Sequence, residues 1–212
     1  MPVRAVLFDF DGTLADSFAA ITASTNYVRE SSGLPALAEV DVRGYVGLGL
    51  DNLMATLVPT LPTDEAIRRY QAHHPGIMLT ATKLFPGVAD TLAKLHARGY
   101  PMAVCSNKAV KFTKALIAGL GLSAVIQDVL GPEDVGVAKP DPAMLFEACR
   151  RLKVSPAEAV YIGDMSIDVK AGHAAGMPVW LVHIGLAGKD DPRATGPERI
   201  LEEFTELAEL LS

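Results

Sequence analysis

Apolar and polar positions along this chain follow two different rhythms. Ala5-Val6-Leu7-Phe8 is an unbroken apolar run that stops at Asp9-Phe10-Asp11-Gly12, the pattern of a buried parallel strand running into a loop. From Asp16 or Ser17 the period becomes helical. Phe18, Ile21, Thr25 and Val28 share one face, an Asp/Ser pair caps the start, and Gly33 and then Pro35 stop the helix. Shorter helical patterns follow at Asp41 to Val46, Leu50 to Leu57 and Asp64 to Gln71, punctuated by Pro59, Pro62 and Pro75. Residues 15–85 are therefore predicted to form a small all-helical bundle without strands, with His73-His74-Pro75-Gly76 as a loop or kink.

After Phe85-Pro86-Gly87 strands alternate with helices, the mark of a doubly wound parallel sheet. A helix over 87–98 carries Val88, Leu92 and Leu95 at helical spacing and stops at Gly99; strand Pro101 to Cys105 then opens onto Ser106-Asn107-Lys108. The pattern continues with a helix over 108–119, a strand near Val125 to Leu130, helix Pro142 to Leu152 and strand Ala159 to Ile162 ahead of Gly163-Asp164. Helix Ile167 to Ala175, strand Val179 to Val182 and a last helix from about Pro197 complete it. The expected architecture is one α/β domain, residues 1–14 plus 86–212, interrupted by a helical insertion at 15–85.

Composition narrows the function classes. With 212 residues, 50% apolar and 21% charged, the chain has material for a real core and is not a disordered or fibrous sequence. Nineteen Lys and Arg against 25 Asp and Glu give a formal charge of −6, which offers no overall attraction to nucleic acid or anionic lipid. No apolar run approaches the roughly 18 residues of a membrane span, and Asp9 and Asp11 interrupt the first apolar stretch too early for a signal peptide. Two cysteines, Cys105 and Cys149, form neither a disulfide framework nor a zinc motif, so a reducing, cytoplasmic setting is expected. Oligomeric state is left open.

The chemistry gathers where the strands end, because open α/β sheets bind ligands at the carboxyl ends of their strands. That rule collects Asp9, Asp11, Ser106, Asn107, Asp164 and Asp168, and the loop Ala138-Lys139-Pro140-Asp141-Pro142 adds Lys139. Several carboxylates around one point repel by several kcal/mol at low effective dielectric, more than one lysine offsets. A divalent cation is implied, and an all-oxygen donor set favours Mg²⁺ over Zn²⁺. Asp9 and Asp11, two residues apart at a strand end, point the same way and can divide attack and proton transfer between them. The Ser106 hydroxyl, backbone N–H groups at a helix start and the Lys139 charge suit an anion, and beside Mg²⁺ that anion is phosphate.

These residues fall into four motifs that resemble those of the haloacid dehalogenase superfamily of phosphohydrolases. Asp9-Phe10-Asp11-Gly12-Thr13-Leu14 is similar to the first, Ser106-Asn107-Lys108 to the second, Lys139-Pro140-Asp141-Pro142 to the third and Gly163-Asp164-Met165-Ser166-Ile167-Asp168 to the fourth. The resemblance implies a Rossmann-like core with a mobile helical cap, and Asp9 as the nucleophile that forms an aspartyl-phosphate. It implies Asp11 as general acid and base, Mg²⁺ on Asp9, the Asp11 carbonyl and Asp164, with Asp168 ligating or bracing, and Ser106, the Asn107 amide and Lys139 on the phosphate. One departure is Met165, where the family often has Ser or Thr; a hydrogen bond near the metal is then missing or comes from Ser166. An acid at position 11 favours phosphate esters over dehalogenation or phosphonate cleavage, since those leaving groups need no proton.

The segment Arg43-Gly44-Tyr45-Val46-Gly47-Leu48-Gly49-Leu50-Asp51-Asn52-Leu53 resembles the cap of phosphoglycolate phosphatase-like members, whose glycine turn faces the active site. Gly47 and Gly49 are accordingly candidates for specificity. Arg43 is a candidate for a substrate carboxylate, with a solvated helix residue as the competing reading. The expected substrate is a small phosphorylated metabolite, with phosphoglycolate first. A β-phosphoglucomutase-like phosphotransferase and an inorganic pyrophosphatase share the site design, although Thr13 after Gly12 looks more like the hydrolases. A binding module that lost catalysis would not need Asp9, Asp11, Lys139 and Asp164 together. His73 and His74 are expected to face solvent, and His173 and His183 are assigned to a surface helix and a loop or else lie near the site. Cys105 reads as a buried thiol and Trp180 as core.

Overall fold

The computed structural model describes residues 2–182 and 190–212. The chain enters through strand β1 (Ala5–Phe8) and a two-residue strand β2 (Ala15–Asp16). Helices α1 (Phe18–Glu30), α2 (Glu39–Arg43), α3 (Leu50–Leu57), α4 (Thr63–His73) and α5 (Met78–Ala81) follow, and strand β3 (Lys83–Leu84) closes this segment. Next come α6 (Val88–Ala97), β4 (Met102–Cys105), α7 (Val110–Gly119), β5 (Asp128–Leu130), α8 (Pro132–Val135) and α9 (Ala143–Leu152). The chain finishes with β6 (Ala159–Gly163), α10 (Ser166–Ala174), β7 (Val179–Leu181), β8 (Arg199–Ile200) and α11 (Glu206–Leu210).

Six strands make one parallel sheet in the order β5-β4-β1-β6-β7-β8. Strand residues alternate between its faces as the pleat requires. Val6, Phe8, Met102, Val104, Val160 and Ile162 pack with α6, α7 and the C-terminal segment. Ala5, Leu7, Ala103, Cys105, Tyr161 and Val179 pack with α9 and α10 on the other. From β1 the chain builds outward through β4 and β5, then crosses back to lay β6 on the opposite side of β1. That reversal opens a crevice at the carboxyl end of β1, so Asp9 stands at the switch point of the sheet.

The helical segment has its own apolar cluster, in which Phe18, Ile21 and Val28 of α1 meet Leu53, Met54 and Tyr70. It was expected to contain no strands. Instead its two ends pair as β2 and β3, antiparallel, with Ala15 opposite Leu84 and Asp16 opposite Lys83. Both crossings between core and helices are thereby brought side by side. The C-terminal region also departs from expectation, because a helix does not start near Pro197. Glu198 N–H donates to Val179 O at 3.0 Å and Leu201 N–H to Leu181 O at 2.8 Å, so the backbone first joins the sheet. Leu201, Phe204, Leu207 and Leu211 have helical spacing, yet Leu201 reaches the core from the end of β8, Phe204 from a turn, and only Glu206–Leu210 is helical.

His74 overturns a third expectation: it is fully buried. Helix α4 runs through His73 and a single 3₁₀ turn, His74–Gly76, carries the imidazole inward. There it stacks on Tyr70 (4.9 Å between centroids), meets Phe112 edge-on and contacts Ser24 Oγ through Nδ1 at 2.9 Å. Burial, followed by the Lys108 charge, pulls its pKa down to about 3, so it is neutral. His173 is exposed and faces Glu198 Oε1 at 3.2 Å. His183 lies outside the described residues.

Candidate active site

Of the residues gathered from the sequence, all but Asp11 arrive in one crevice. Asp9 leaves β1, Ser106 and Asn107 leave β4, Asp164 leaves β6, Asp168 sits in the first turn of α10, and Lys139 enters from the loop before α9. All six are buried. Lys139 Nζ donates to Asp168 Oδ1 (2.7 Å) and to Tyr161 Oη (2.8 Å), and makes an ion pair with Asp9 Oδ1 at 3.0 Å. The Tyr161 hydroxyl donates onward to Cys105 O at 2.7 Å, which ties the lysine to the strand end that presents Ser106. Asp164 accepts from Thr13 Oγ1 at 2.8 Å.

One lysine among three buried carboxylates leaves the cluster short of positive charge. Burial above all pushes the Asp9 pKa up to about 6, against the pull of Lys139, and Asp168 adds repulsion. Asp164 is held well above the ordinary carboxylate range by burial and by the charges of Asp168 and Asp9. Burial alone would lower Lys139, but Asp168 and Asp9 outweigh it and keep the lysine above its usual value.

The residues fit a hard divalent cation. Carboxylate oxygens of Asp9, Asp164 and Asp168 lie within 4.8 Å of one another, and buried Asp9 Oδ1 has Lys139 Nζ beside it as an ion-pair partner outside hydrogen-bond geometry. The donors are all oxygen, as Mg²⁺ prefers. Within the trio Asp168 is the most committed: Oδ1 accepts from Lys139, while Oδ2 accepts from the N–H groups of Asp164 (3.2 Å) and Met165 (3.0 Å). Gly12 is required beside this cluster. Its φ is +89°, and a Cβ there would stand 2.3 Å from Asp164 Oδ2.

Asp11 faces away from that trio. Its carboxylate accepts from Ser17 Oγ and is flanked by Lys108 Nζ at 3.2 and 3.3 Å, a pair less than a tenth exposed on either side. Two aspartates two residues apart thus receive different surroundings, one deep in the crevice and one under the helical segment. A role for Lys108, Ser17, Thr13 or Tyr161 was not foreseen. Only Lys108 and Thr13 carried a sequence signal, standing within the first two motifs; the other two act through contacts formed by folding.

The helical segment closes over the crevice. Asn107 Nδ2 donates to Gly47 O (3.0 Å) and to Lys139 O (3.2 Å), and Oδ1 accepts from Lys139 N–H at 2.8 Å. Asn107 therefore joins the glycine turn to the loop of Lys139. Gly47 has φ +89°, and a Cβ there would come within 2.6 Å of Met165 Sδ. Met165, the departure from the expected Ser or Thr, packs against the turn. Ser166 does not supply the missing hydroxyl to the carboxylate cluster, because its N–H (2.6 Å) and Oγ (2.7 Å) both bind Asp190. Gly47 and Gly49 line a cavity that also exposes Asp11, Lys108 and Tyr70. Arg43 does not line it: its guanidinium pairs with Glu39 at 2.5 Å and lies 4.6 Å above the Phe18 ring, so it is spent within the helical segment.

Residues 6–182 match the family model described as haloacid dehalogenase-like hydrolase. The chain belongs to the haloacid dehalogenase-like hydrolase family. Its similarity extends end to end to a phosphoglycolate phosphatase of Cupriavidus necator, 35% identical across 100% of this chain and 94% of that protein. A phosphoglycolate phosphatase of Nitrosococcus oceani is 32% identical across 98% and 96%. Among solved structures, a predicted phosphoglycolate phosphatase from Haemophilus somnus 129pt superposes with a TM-score of 0.93 at 26% identity, covering 99% of this chain and 98% of that one. The chain is a hydrolase, and these relatives place it among the family's phosphatases. Among the described residues no helix is long and apolar enough to cross a membrane.

The buried carboxylates predict a linkage that thermal melts check. Asp9 ionises more easily in the unfolded chain, near 3.8, than in the fold, near 6. Stability of the metal-free protein is therefore fully supported by this group below about pH 4 and declines as pH rises through 6. His74 acts in the opposite sense, since the unfolded chain binds a proton below about 6.5 that the fold refuses until about 3. Added Mg²⁺ competes with protons for the carboxylates, so the rise in Tm it produces should be larger at pH 7.5 than at pH 5. An equal or smaller rise at pH 7.5 would contradict the metal assignment.

Proposed function

We propose that this chain is a Mg²⁺-dependent phosphomonoester hydrolase whose substrate is phosphoglycolate, with residues 15–85 serving as its cap. The observation that carries this reading is the convergence of buried Asp9, Asp164 and Asp168 on a single buried lysine at the sheet's switch point, with Asp11 set apart under the helices. The substrate comes from the names of the relatives similar over the whole chain.

In the first step a carboxylate oxygen of Asp9 attacks phosphorus, the bond between phosphorus and the ester oxygen breaks, and the departing alkoxide takes a proton from Asp11. In the second, water attacks phosphorus of the aspartyl-phosphate, gives a proton to Asp11 and displaces the Asp9 carboxylate, releasing inorganic phosphate. Ser106, the backbone amide of Asn107 and Lys139 bind the transferring oxygens and stabilise the charge that gathers on them. Asp9, the Asp11 carbonyl and Asp164 would hold Mg²⁺, with Asp168 bracing Lys139 and the metal site. When bound, the ion offsets repulsion between an anionic nucleophile and a phosphate dianion. Ser17 and Lys108 keep the Asp11 carboxyl in place at the cavity where the leaving group must lie.

The test is phosphate release from phosphoglycolate, sugar phosphates, nucleoside monophosphates and pyrophosphate, with Mg²⁺ or with chelator. Metal-dependent release that is fastest from phosphoglycolate is expected. Transfer between sugars without net release would favour the phosphotransferase.

A further inference from the structure

The cavity between cap and core has few uncommitted polar groups. Ile21, Val46, Leu50, Leu53 and Phe112 give it apolar walls, and Asp11, Asn107 and Lys108 form its polar floor. The floor is largely engaged: the Asn107 side chain is spent on Gly47 O, Lys139 O and Lys139 N, and Lys108 pairs with Asp11 while its ammonium keeps a further N–H for a ligand. Tyr45 also lines the cavity, from a partly solvent-exposed position. Tyr70 differs from all of these. It is only 3% exposed, it lines the cavity from α4, and its hydroxyl has no hydrogen-bond partner among the described residues. Its ring is fixed by the stack on His74, which is itself wedged against Phe112. Burial and the negative charge of Asp11 hold its pKa well above 10, so the hydroxyl stays protonated and able to donate.

The ring is buried but the hydroxyl oxygen keeps access to the cavity, where it is free to donate to a ligand. Here the missing partner belongs beside Asp11, on the side where the leaving group departs. We propose that Tyr70 is the cap's specificity contact, donating its hydroxyl to the one polar end of a short leaving group, so that the enzyme selects a compact hydroxy-acid phosphate over a polyhydroxylated sugar phosphate. The inference rests on the phosphatase reading and deepens it. A sugar would press several hydroxyls against walls without partners, each at roughly a 5- to 150-fold cost in affinity. A carboxylate beside the phosphate ester meets the tyrosine donor directly. Arg43, committed to Glu39, is not needed for that contact.

The experiment compares kcat/KM for phosphoglycolate and for ethyl phosphate, which has the same length without the polar end, in the wild type and in Tyr70→Phe. The wild type should favour phosphoglycolate by roughly 10- to 100-fold, the worth of a hydrogen bond to a charged group, and should hydrolyse glucose 6-phosphate poorly. In Tyr70→Phe the phosphoglycolate-to-ethyl-phosphate ratio should fall toward one, mainly through KM. An unchanged ratio, an equal loss on both substrates, or a wild type that accepts glucose 6-phosphate as readily as phosphoglycolate would overturn the assignment. The wild-type comparison decides even if the variant folds poorly. Should no ester, ethyl phosphate included, release phosphate in the presence of Mg²⁺, the phosphatase reading itself falls and this contact with it.

Discussion

Replacing Asp9 with asparagine is expected to reduce Mg²⁺-dependent phosphate release by roughly 10⁴-fold or more, the usual cost of deleting a nucleophile, while the metal-free protein becomes more stable. Both effects have one cause. Asp9 is 1% exposed, and burial pushes its pKa up to about 6 despite the neighbouring lysine. Ionising it at pH 7.5 therefore costs the metal-free fold on the order of 3 kcal/mol relative to an unfolded carboxylate. Asparagine keeps the shape and removes the charge. Lys139 retains Asp168 at 2.7 Å as a counter-ion, so the substitution does not strand a buried cation. At roughly 2–4 °C per kcal/mol for a chain of this size, Tm without metal should rise by several degrees at pH 7.5 and change little at pH 4. Mg²⁺ should stabilise the variant less than the wild type. Retention of more than a few per cent of the activity would remove Asp9 from the nucleophile's role.

The parts of this molecule that could be read from its sequence are those fixed by local pattern. Ala5–Phe8 and Leu50–Leu57 form where their apolar patterns indicate, the first because all four side chains are buried in a central strand. The six crevice residues were legible because a parallel sheet delivers its strand ends to one place, so chain order and strand ends suffice to group them. What escaped depends on partners far away in the sequence. The Lys108–Asp11 and Thr13–Asp164 contacts span 97 and 151 positions, and nothing local indicates either pairing. His74 reads as solvent-facing beside Pro75, but the aromatic cage of Tyr70 and Phe112 exists only once the helical segment meets α7. Arg43 is a different case. Glu39 stands four residues before it on the same helical face, so its pairing is available from spacing alone. The C-terminal region was misassigned because apolar spacing reports which side chains go inward and not how the backbone is satisfied; from Glu198 to Leu201 it is satisfied by β7.

Lys139→Met should produce the second large effect, and here activity and stability should fall together. The ammonium is fully buried and engages Asp9, Asp168 and the Tyr161 hydroxyl at 3.0, 2.7 and 2.8 Å. Methionine fills much of the volume but leaves buried carboxylates without their cation, a loss of about 3–5 kcal/mol for a broken buried pair. Urea unfolding at pH 7.5 should show a correspondingly lower midpoint, with part of the loss regained at pH 5, where the carboxylates take up protons instead. Phosphate release should fall roughly 10³-fold, as when a donor to the transferring oxygens is removed. Two jobs are mixed in that number, neutralising the cluster and touching the phosphate, and adding Asp168→Asn separates them. The second substitution removes one of the stranded charges while its amide oxygen can still accept from the N–H groups of Asp164 and Met165 that Asp168 now caps. The double variant should therefore recover stability relative to Lys139→Met and recover no activity. If activity returned as well, Lys139 would act only by balancing the charge of Asp168, and the oxygens of the transferring phosphate would have to find their positive charge elsewhere, with Lys108 beside Asp11 the nearest cation in the cavity.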